Sequence, residues 1–222
     1  MTLPIKDQSL LKQAFTHRSY LNETSAKQSN ERLEFLGDSV LQLVTSDYLY
    51  HHYSDKPEGD LTALRSALVK TTTLATISTK LDFGQDLLMS RGEDQGGGRT
   101  NESLLADTFE AVVGAIYLDS GYQAARDFIE SNLINPTLPE IIAKSLYKDF
   151  KSTLQETVQS QGHKTPTYHL VSQSGPDHQR SFVMAVTVAG QQLATGEGDS
   201  KQEAAQQAAE RALTKLATRG TV

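Results

Sequence analysis

Asn30-Glu31-Arg32-Leu33-Glu34-Phe35-Leu36-Gly37-Asp38-Ser39-Val40-Leu41 is the stretch that orders the rest of this sequence. At about 100° per residue, Leu33, Leu36, Val40, Leu43 and Val44 form one apolar stripe, so the segment reads as an amphipathic helix. Glu31, Glu34 and Asp38 stand together on another face, at spacings of three and four. Like charges so placed repel by roughly 0.2–0.5 kcal/mol per pair. Such a row is either a solvated acidic face or one side of a site for a hard divalent cation, which takes oxygen ligands and removes the repulsion. Phe35 lies off the stripe, beyond the acidic row. An aromatic there is either a stray exposed residue or part of an interface.

A second segment has the same grammar. In Leu104–Tyr117, Leu105, Phe109, Val112, Val113 and Ile116 make the apolar stripe, and Asp107 and Glu110 fall on the opposite side beside Ala111 and Gly114. Small residues next to paired carboxylates let another backbone come close. If that neighbour is the Glu34/Asp38 helix, four carboxylates converge, with one or more pKa values pushed upward. Holding a divalent ion, such a cluster suits metal-assisted displacement at phosphorus.

Outward from these two helices, the helical period persists to about residue 133. Asn135-Pro136-Thr137-Leu138-Pro139 interrupts it, because proline resists helix continuation and restricts the residue before it. A short helix over 140–145 is expected within a linker at 135–148. Beyond it the period changes: a helix over 150–161, strands over 166–172, 181–188 and 191–196, then an alanine-rich helix over 200–216. The predicted organisation is a helical domain (1–134), the linker, and a small α-β-β-β-α domain (149–222).

Composition bounds what these domains do. The chain has 222 residues, no cysteine and a net charge of −6, which excludes disulfides, thiolate nucleophiles and cysteine-ligated metals. No run approaches the roughly 20 apolar residues of a spanning helix, and the first residues lack a basic flank before an apolar segment. A soluble, cytoplasmic protein with no membrane association is the expectation. Residues 1–147 carry 13 basic and 20 acidic side chains, a balance of −7, whereas residues 148–222 carry 8 and 7, a balance of +1. Either the acidity is ordinary, or a cation stands between the first domain and any polyanion it meets. No nucleophile elbow, H-E-x-x-H or Walker loop is present, and Gly96-Gly97-Gly98 reads as a turn.

The twelve residues from Asn30 to Leu41 resemble the signature of the ribonuclease III family. The resemblance continues through Glu58-Gly59-Asp60-Leu61, through Gly92-Glu93 to Gly98, and through Glu102–Ala111. It then covers a C-terminal double-stranded-RNA-binding domain, so nearly the whole chain is similar to bacterial members. The implied fold is an all-α catalytic domain followed by a small α+β (α-β-β-β-α) RNA-binding domain. The implied activity is endonucleolytic hydrolysis of double-stranded RNA, leaving short 3′ overhangs and processing structured precursors such as ribosomal RNA. A catalytically idle RNA-binding regulator is the alternative.

Residue by residue, Glu34, Asp38, Asp107 and Glu110 match the carboxylates that hold Mg2+ (Mn2+ can substitute), with Asp38 and Glu110 as the active-site pair. Glu31, Glu58 and Glu93 match outer acidic positions near the cleft. The resemblance also implies a homodimer in which Phe35 inserts into the partner subunit. Gln155, Glu156 and His178 match minor-groove contacts, and Lys201 a phosphate contact at the start of the last helix. There the family often carries three lysines; here Gln202 and Ala205 replace two of them. Gly96, where many members have serine, and Thr100-Asn101, where basic residues are common, are further departures.

Overall fold

The computed structural model describes residues 3–176 and 180–219. The chain divides into two compact units between Tyr147 and Lys148, each with its own core.

The first unit is helical. Its elements are α1 (Gln8–Ala14), a 3-10 turn at Arg18–Asn22, α2 (Glu31–His52), α3 (Glu58–Val69), α4 (Thr71–Lys80), α5 (Phe83–Asp86), α6 (Arg91–Gln95), α7 (Glu102–Ile129) and α8 (Asn135–Ala143). Asn101 starts α7 by accepting from the backbone N–H groups of Ser103 and Leu104, as an N-cap asparagine does. The aromatic line Phe15, Phe83, Phe109 and Phe128 runs through the core. Each such buried side chain contributes roughly 1.5–3 kcal/mol relative to exposure.

The axis of this unit is the α2–α7 pair, and two glycines set its spacing. A Cβ on Gly37 would lie 1.8 Å from the Glu110 carbonyl oxygen, and one on Gly114 would lie 2.2 Å from that of Leu33. Only backbone fits there. This contact turns α2 away from the orientation its leucine stripe predicts. Leu33, Gly37, Val40, Leu41 and Val44 face inward, Leu36 is half-buried, and Leu43 is 58% exposed.

The predicted linker at 135–148 is corrected over most of its length. Residues 135–143 are helical and bury Leu138 and Ile141 in the first core. Pro136 sits in the first turn, where its missing N–H costs little, and the two apolar anchors offset the backbone bond lost at Pro139. The segment between the two cores narrows to about 144–149.

The second unit runs α9 (Phe150–Ser160), β1 (Thr167–Ser174), β2 (Ser181–Val188), β3 (Gln191–Gly198) and α10 (Lys201–Arg219). The three strands form one antiparallel sheet in the order β1-β2-β3, with a bulge in β1 between Leu170 and Ser172. Helix α10 lies close to the sheet because Ala204, Ala208, Ala209 and Ala212 are fully buried. Gly196 completes that fit: its Cβ would lie 2.2 Å from the backbone nitrogen of Ala208.

Candidate active site

Three of the four predicted carboxylates meet where α2 crosses α7. Oxygens of Glu34, Asp107 and Glu110 all lie within 4.8 Å of one another. Their positions follow from the two helix starts. The Asn30 carbonyl accepts from the Glu34 N–H at 2.9 Å, and the Asn30 N–H donates to the Thr16 carbonyl at 2.8 Å. On α7, the Ser78 hydroxyl donates to the Leu105 carbonyl at 2.7 Å, fixing the turn that carries Asp107. Asp38 is one turn further along α2, more exposed, and accepts from Gln42 Nε2 at 3.4 Å. It falls outside the tight trio yet acts on it electrostatically.

The electrostatics show crowding. Burial, then the charges of Asp38, Glu34 and Asp107, push the Glu110 carboxyl up to about 8. Glu34 is raised by burial and by Asp107, Glu31 and Asp38. Asp107 is raised by burial, against which His17 and Arg18 act. Protein groups alone therefore do not balance the cluster. All its donors are carboxylate oxygens, the set that hard cations such as Mg2+ prefer, so the residues present fit a divalent ion. Glu34, Asp107 and Glu110, with Asp38 at the rim, are the residues that would hold it.

The outer acidic positions separate. Glu31 lies at the rim, accepting from the Ser29 hydroxyl at 2.7 Å, and lines a cleft of roughly 310 Å³ with Glu34, Asp107, His17, Arg18 and Asn30. Glu58 opens α3, accepts from the Thr62 hydroxyl at 2.9 Å, and lines a different groove with Leu43, Tyr50 and Arg65. Glu93 belongs to α6, whose start is capped by the Ser90 hydroxyl. Neither Glu58 nor Glu93 joins the trio. His17, Arg18 and Asn30 were not singled out by the sequence. Their signal was positional only, since Asn30 begins the decisive stretch.

Phe35 is 79% exposed and shares the outer side of α2 with the exposed Leu43 and Tyr50. In the second unit, Gln155 and Glu156 are exposed on α9, while Leu154 and Val158 turn inward. Lys201 is exposed in the first turn of α10. Beside it, Ser200 Oγ accepts from the Glu203 N–H at 3.1 Å, and a Glu203 carboxylate oxygen accepts from the Asp199 N–H at 2.9 Å. The pair ties the start of α10 from both sides, like a capping box whose return bond is shifted to the residue before the cap. His178 lies outside the described residues.

A helical unit with a hard-cation carboxylate cluster, followed by an α-β-β-β-α unit, is the layout of a metal-dependent enzyme directed at nucleic acid. The family model Ribonuclease-III-like matches residues 7–137, and Double-stranded RNA binding motif matches residues 150–216. The chain belongs to the ribonuclease III family. Ribonuclease 3 of Syntrophomonas wolfei is 44% identical over 222 residues, covering 99% of this chain and 93% of that protein. Ribonuclease 3 of Bacillus cereus is 46% identical over 212 residues, covering 95% and 86%. Among solved structures, the nuclease domain of ribonuclease III from Campylobacter jejuni is 41% identical, with a TM-score of 0.55 over 60% of this chain and 87% of that one. Dicer from Pichia stipitis is 29% identical, with a TM-score of 0.50 over 96% of each chain.

Proposed function

We propose that this protein is an endoribonuclease that hydrolyses phosphodiester bonds of double-stranded RNA with Mg2+, or Mn2+ in its place. The carrying observation is the convergence of Glu34, Asp107 and Glu110 within 4.8 Å on a rigid helix pair. The chemistry a bound ion supplies is polarisation of the phosphoryl group and a more acidic water. The protein holds that chemistry in place. The Gly37–Gly114 contact fixes the distance between the two carboxylate-bearing helices, and Asp38 stands exposed at the rim. Asp38 and Glu110 are read as the active-site pair, with Glu31, Glu58 and Glu93 as outer acidic positions toward substrate or partner.

The second unit supplies duplex recognition, with Gln155 and Glu156 reading a minor groove and Lys201 meeting phosphate. The exposed Phe35, Leu43 and Tyr50 on α2 support a homodimer anchored by Phe35. Work on structured precursors such as ribosomal RNA, in the cytoplasm, fits this reading; among the described residues no helix is long and apolar enough to cross a membrane. The test is cleavage of a long perfect duplex in Mg2+ and in chelator. Cutting in Mg2+ alone is expected. Binding without cutting in either condition would leave an idle RNA-binding regulator.

A further inference from the structure

Beside the carboxylates, the cleft is also lined by hydrogen-bond donors. Arg18, His17 and Asn30 line it together with Glu31, Glu34 and Asp107. His17 and Asn30 are held by their backbones. Thr16 forms a bridge with Leu88, the His17 N–H donates to the Leu88 carbonyl at 2.9 Å, and the Asn30 N–H donates to Thr16. Their side chains are largely unspent. The Arg18 side chain is 74% exposed, and its ion-pair partner, Glu31, stands 3.9 Å away, beyond hydrogen-bond range. His17 uses Nδ1 on the Ser19 hydroxyl at 2.8 Å, and that hydroxyl also accepts from the Ser90 N–H at 3.0 Å. The Asn30 residue is only 4% exposed, and among the described residues its side-chain amide has no hydrogen-bond partner.

The Asn30 amide opens onto this polar cleft with its donor and acceptor uncommitted within the protein, so both are available to whatever occupies the cleft. The occupant must accept hydrogen bonds from an amide and a guanidinium while lying beside carboxylates that gather a divalent ion. A phosphate group meets both demands. Its non-bridging oxygens accept from Arg and Asn, and the same group can face the ion on its other side.

We infer that Arg18 and Asn30, with His17 beside them, form a phosphate-binding wall that positions the RNA phosphate against the carboxylate cluster. This inference rests on the proposed nuclease reading and adds residues to it. Arg18 sits on a short turn pinned at both ends, so its placement is ready before RNA arrives. The wall also answers part of the charge problem of the first unit: a cationic group, Arg18, stands in the cleft itself.

The test uses the full-length chain and a short duplex that the wild type cleaves. Arg18→Ala is expected to lower the single-turnover rate at saturating enzyme and saturating Mg2+ by roughly 10- to 100-fold. Arg18→Lys should recover part of that loss, keeping the charge but not the guanidinium fork. Asn30→Asp, which replaces the amide donor by a carboxylate of the same shape, should lower the rate at least as much. Duplex affinity in Ca2+ should fall less than the rate, because the second unit is untouched. A merely local effect on the cluster gives another signature. Removing a cation beside Asp107 would tighten Mg2+, lowering its half-saturating concentration while leaving the saturated rate unchanged. That pattern, or a saturated rate within twofold of wild type for Arg18→Ala, overturns the phosphate wall. If the wild type itself does not cut the duplex in Mg2+, the nuclease reading has failed instead.

Discussion

Glu110 in the first unit packs where two helix backbones touch, among three other carboxylates, and its proton affinity is raised accordingly. Lys201 in the second unit stands exposed on a helix surface, and nothing in the core depends on its identity. A residue of the first kind cannot change without consequence for its neighbours. A residue of the second kind can be lost while the fold stays whole. Gln202 is the evidence: it stands in the α10 turn where related domains often carry lysine, in a sheet-and-helix unit whose packing is complete. The catalytic unit therefore carries its function in its architecture, and the binding unit carries much of its function on its surface.

The strongest way to break that contrast is Glu110→Gln. We expect cleavage in Mg2+ to fall by about 100-fold or more, since a ligand to the ion supports several kcal/mol of charge stabilisation in the transition state. Duplex binding by the same variant should stay within about threefold of wild type, measured in Ca2+. Near-normal cleavage would remove Glu110 from the site. In the wild type, Ca2+ should permit binding and support little hydrolysis, because its longer bonds and looser geometry differ from those of Mg2+.

Phe35→Asp tests whether the outer face of α2 is architecture or surface. The residue is exposed, so the substitution should leave the fold intact and give monomers by sedimentation at micromolar concentration. Cleavage of both strands should drop about tenfold or more, as the anchoring aromatic of a buried interface typically contributes at least about 2 kcal/mol. A variant that remains dimeric at low concentration places the contact elsewhere.

The crowded carboxylates predict a pH dependence with a definite sign. In metal-free protein the Glu110 carboxyl is raised from 4.5 to about 8, while in the unfolded chain it titrates near its ordinary value. The stability tied to its protonated form is therefore fully present below about 4.5. It is lost as pH rises toward 8, because the unfolded chain then releases a proton that the folded one retains. Relative to Glu110→Gln, the wild-type melting temperature in chelator should fall by a few degrees, on the order of 3 °C, from pH 5 to pH 8. Adding Mg2+ at pH 8 should reverse the fall. A constant difference between the two proteins across that range would mean that Glu110 is not crowded in solution.

Much of this was legible before the structure. The period change near residue 133 marked two domains because helices and strands repeat differently, and β2 begins and ends at the predicted Ser181 and Val188. The carboxylate trio was legible because acidic side chains at helical spacing beside glycine and alanine carry a visible cost. Leu43 was misassigned because hydrophobic periodicity cannot see that a glycine pair sets the inward direction of α2. The helix over 135–143 was hidden because proline statistics do not register Leu138 and Ile141 as core anchors. Arg18, His17 and Asn30 were hidden for a third reason: the cleft they line joins four segments separated in sequence, and no local pattern reports that.

The smallest expected effect concerns the binding surface and sharpens the contrast most directly. The family resemblance marks Gln202 and Ala205 as missing lysines, but the two positions differ in the structure. Ala205 is buried with Met184 and Ala204 in a small cluster, so a lysine there would have to displace packing before it met phosphate. Gln202 is exposed and free of that constraint. The same turn holds a carboxylate: Glu203 accepts from the Asp199 N–H and places negative charge two residues from Lys201. Gln202→Lys in the isolated unit, residues 148–222, should tighten duplex binding and steepen log K against log salt by roughly 0.9, the value per phosphate on B-DNA. Glu203→Gln keeps an oxygen acceptor for the Asp199 N–H and removes a repulsive charge. It should tighten binding at low salt by a smaller factor and leave the melting temperature within about 2 °C. A salt titration of the three proteins against one short duplex decides the matter. Parallel lines of equal height would show that this turn does not face phosphate, and that duplex affinity resides in Gln155, Glu156 and the rest of the second unit.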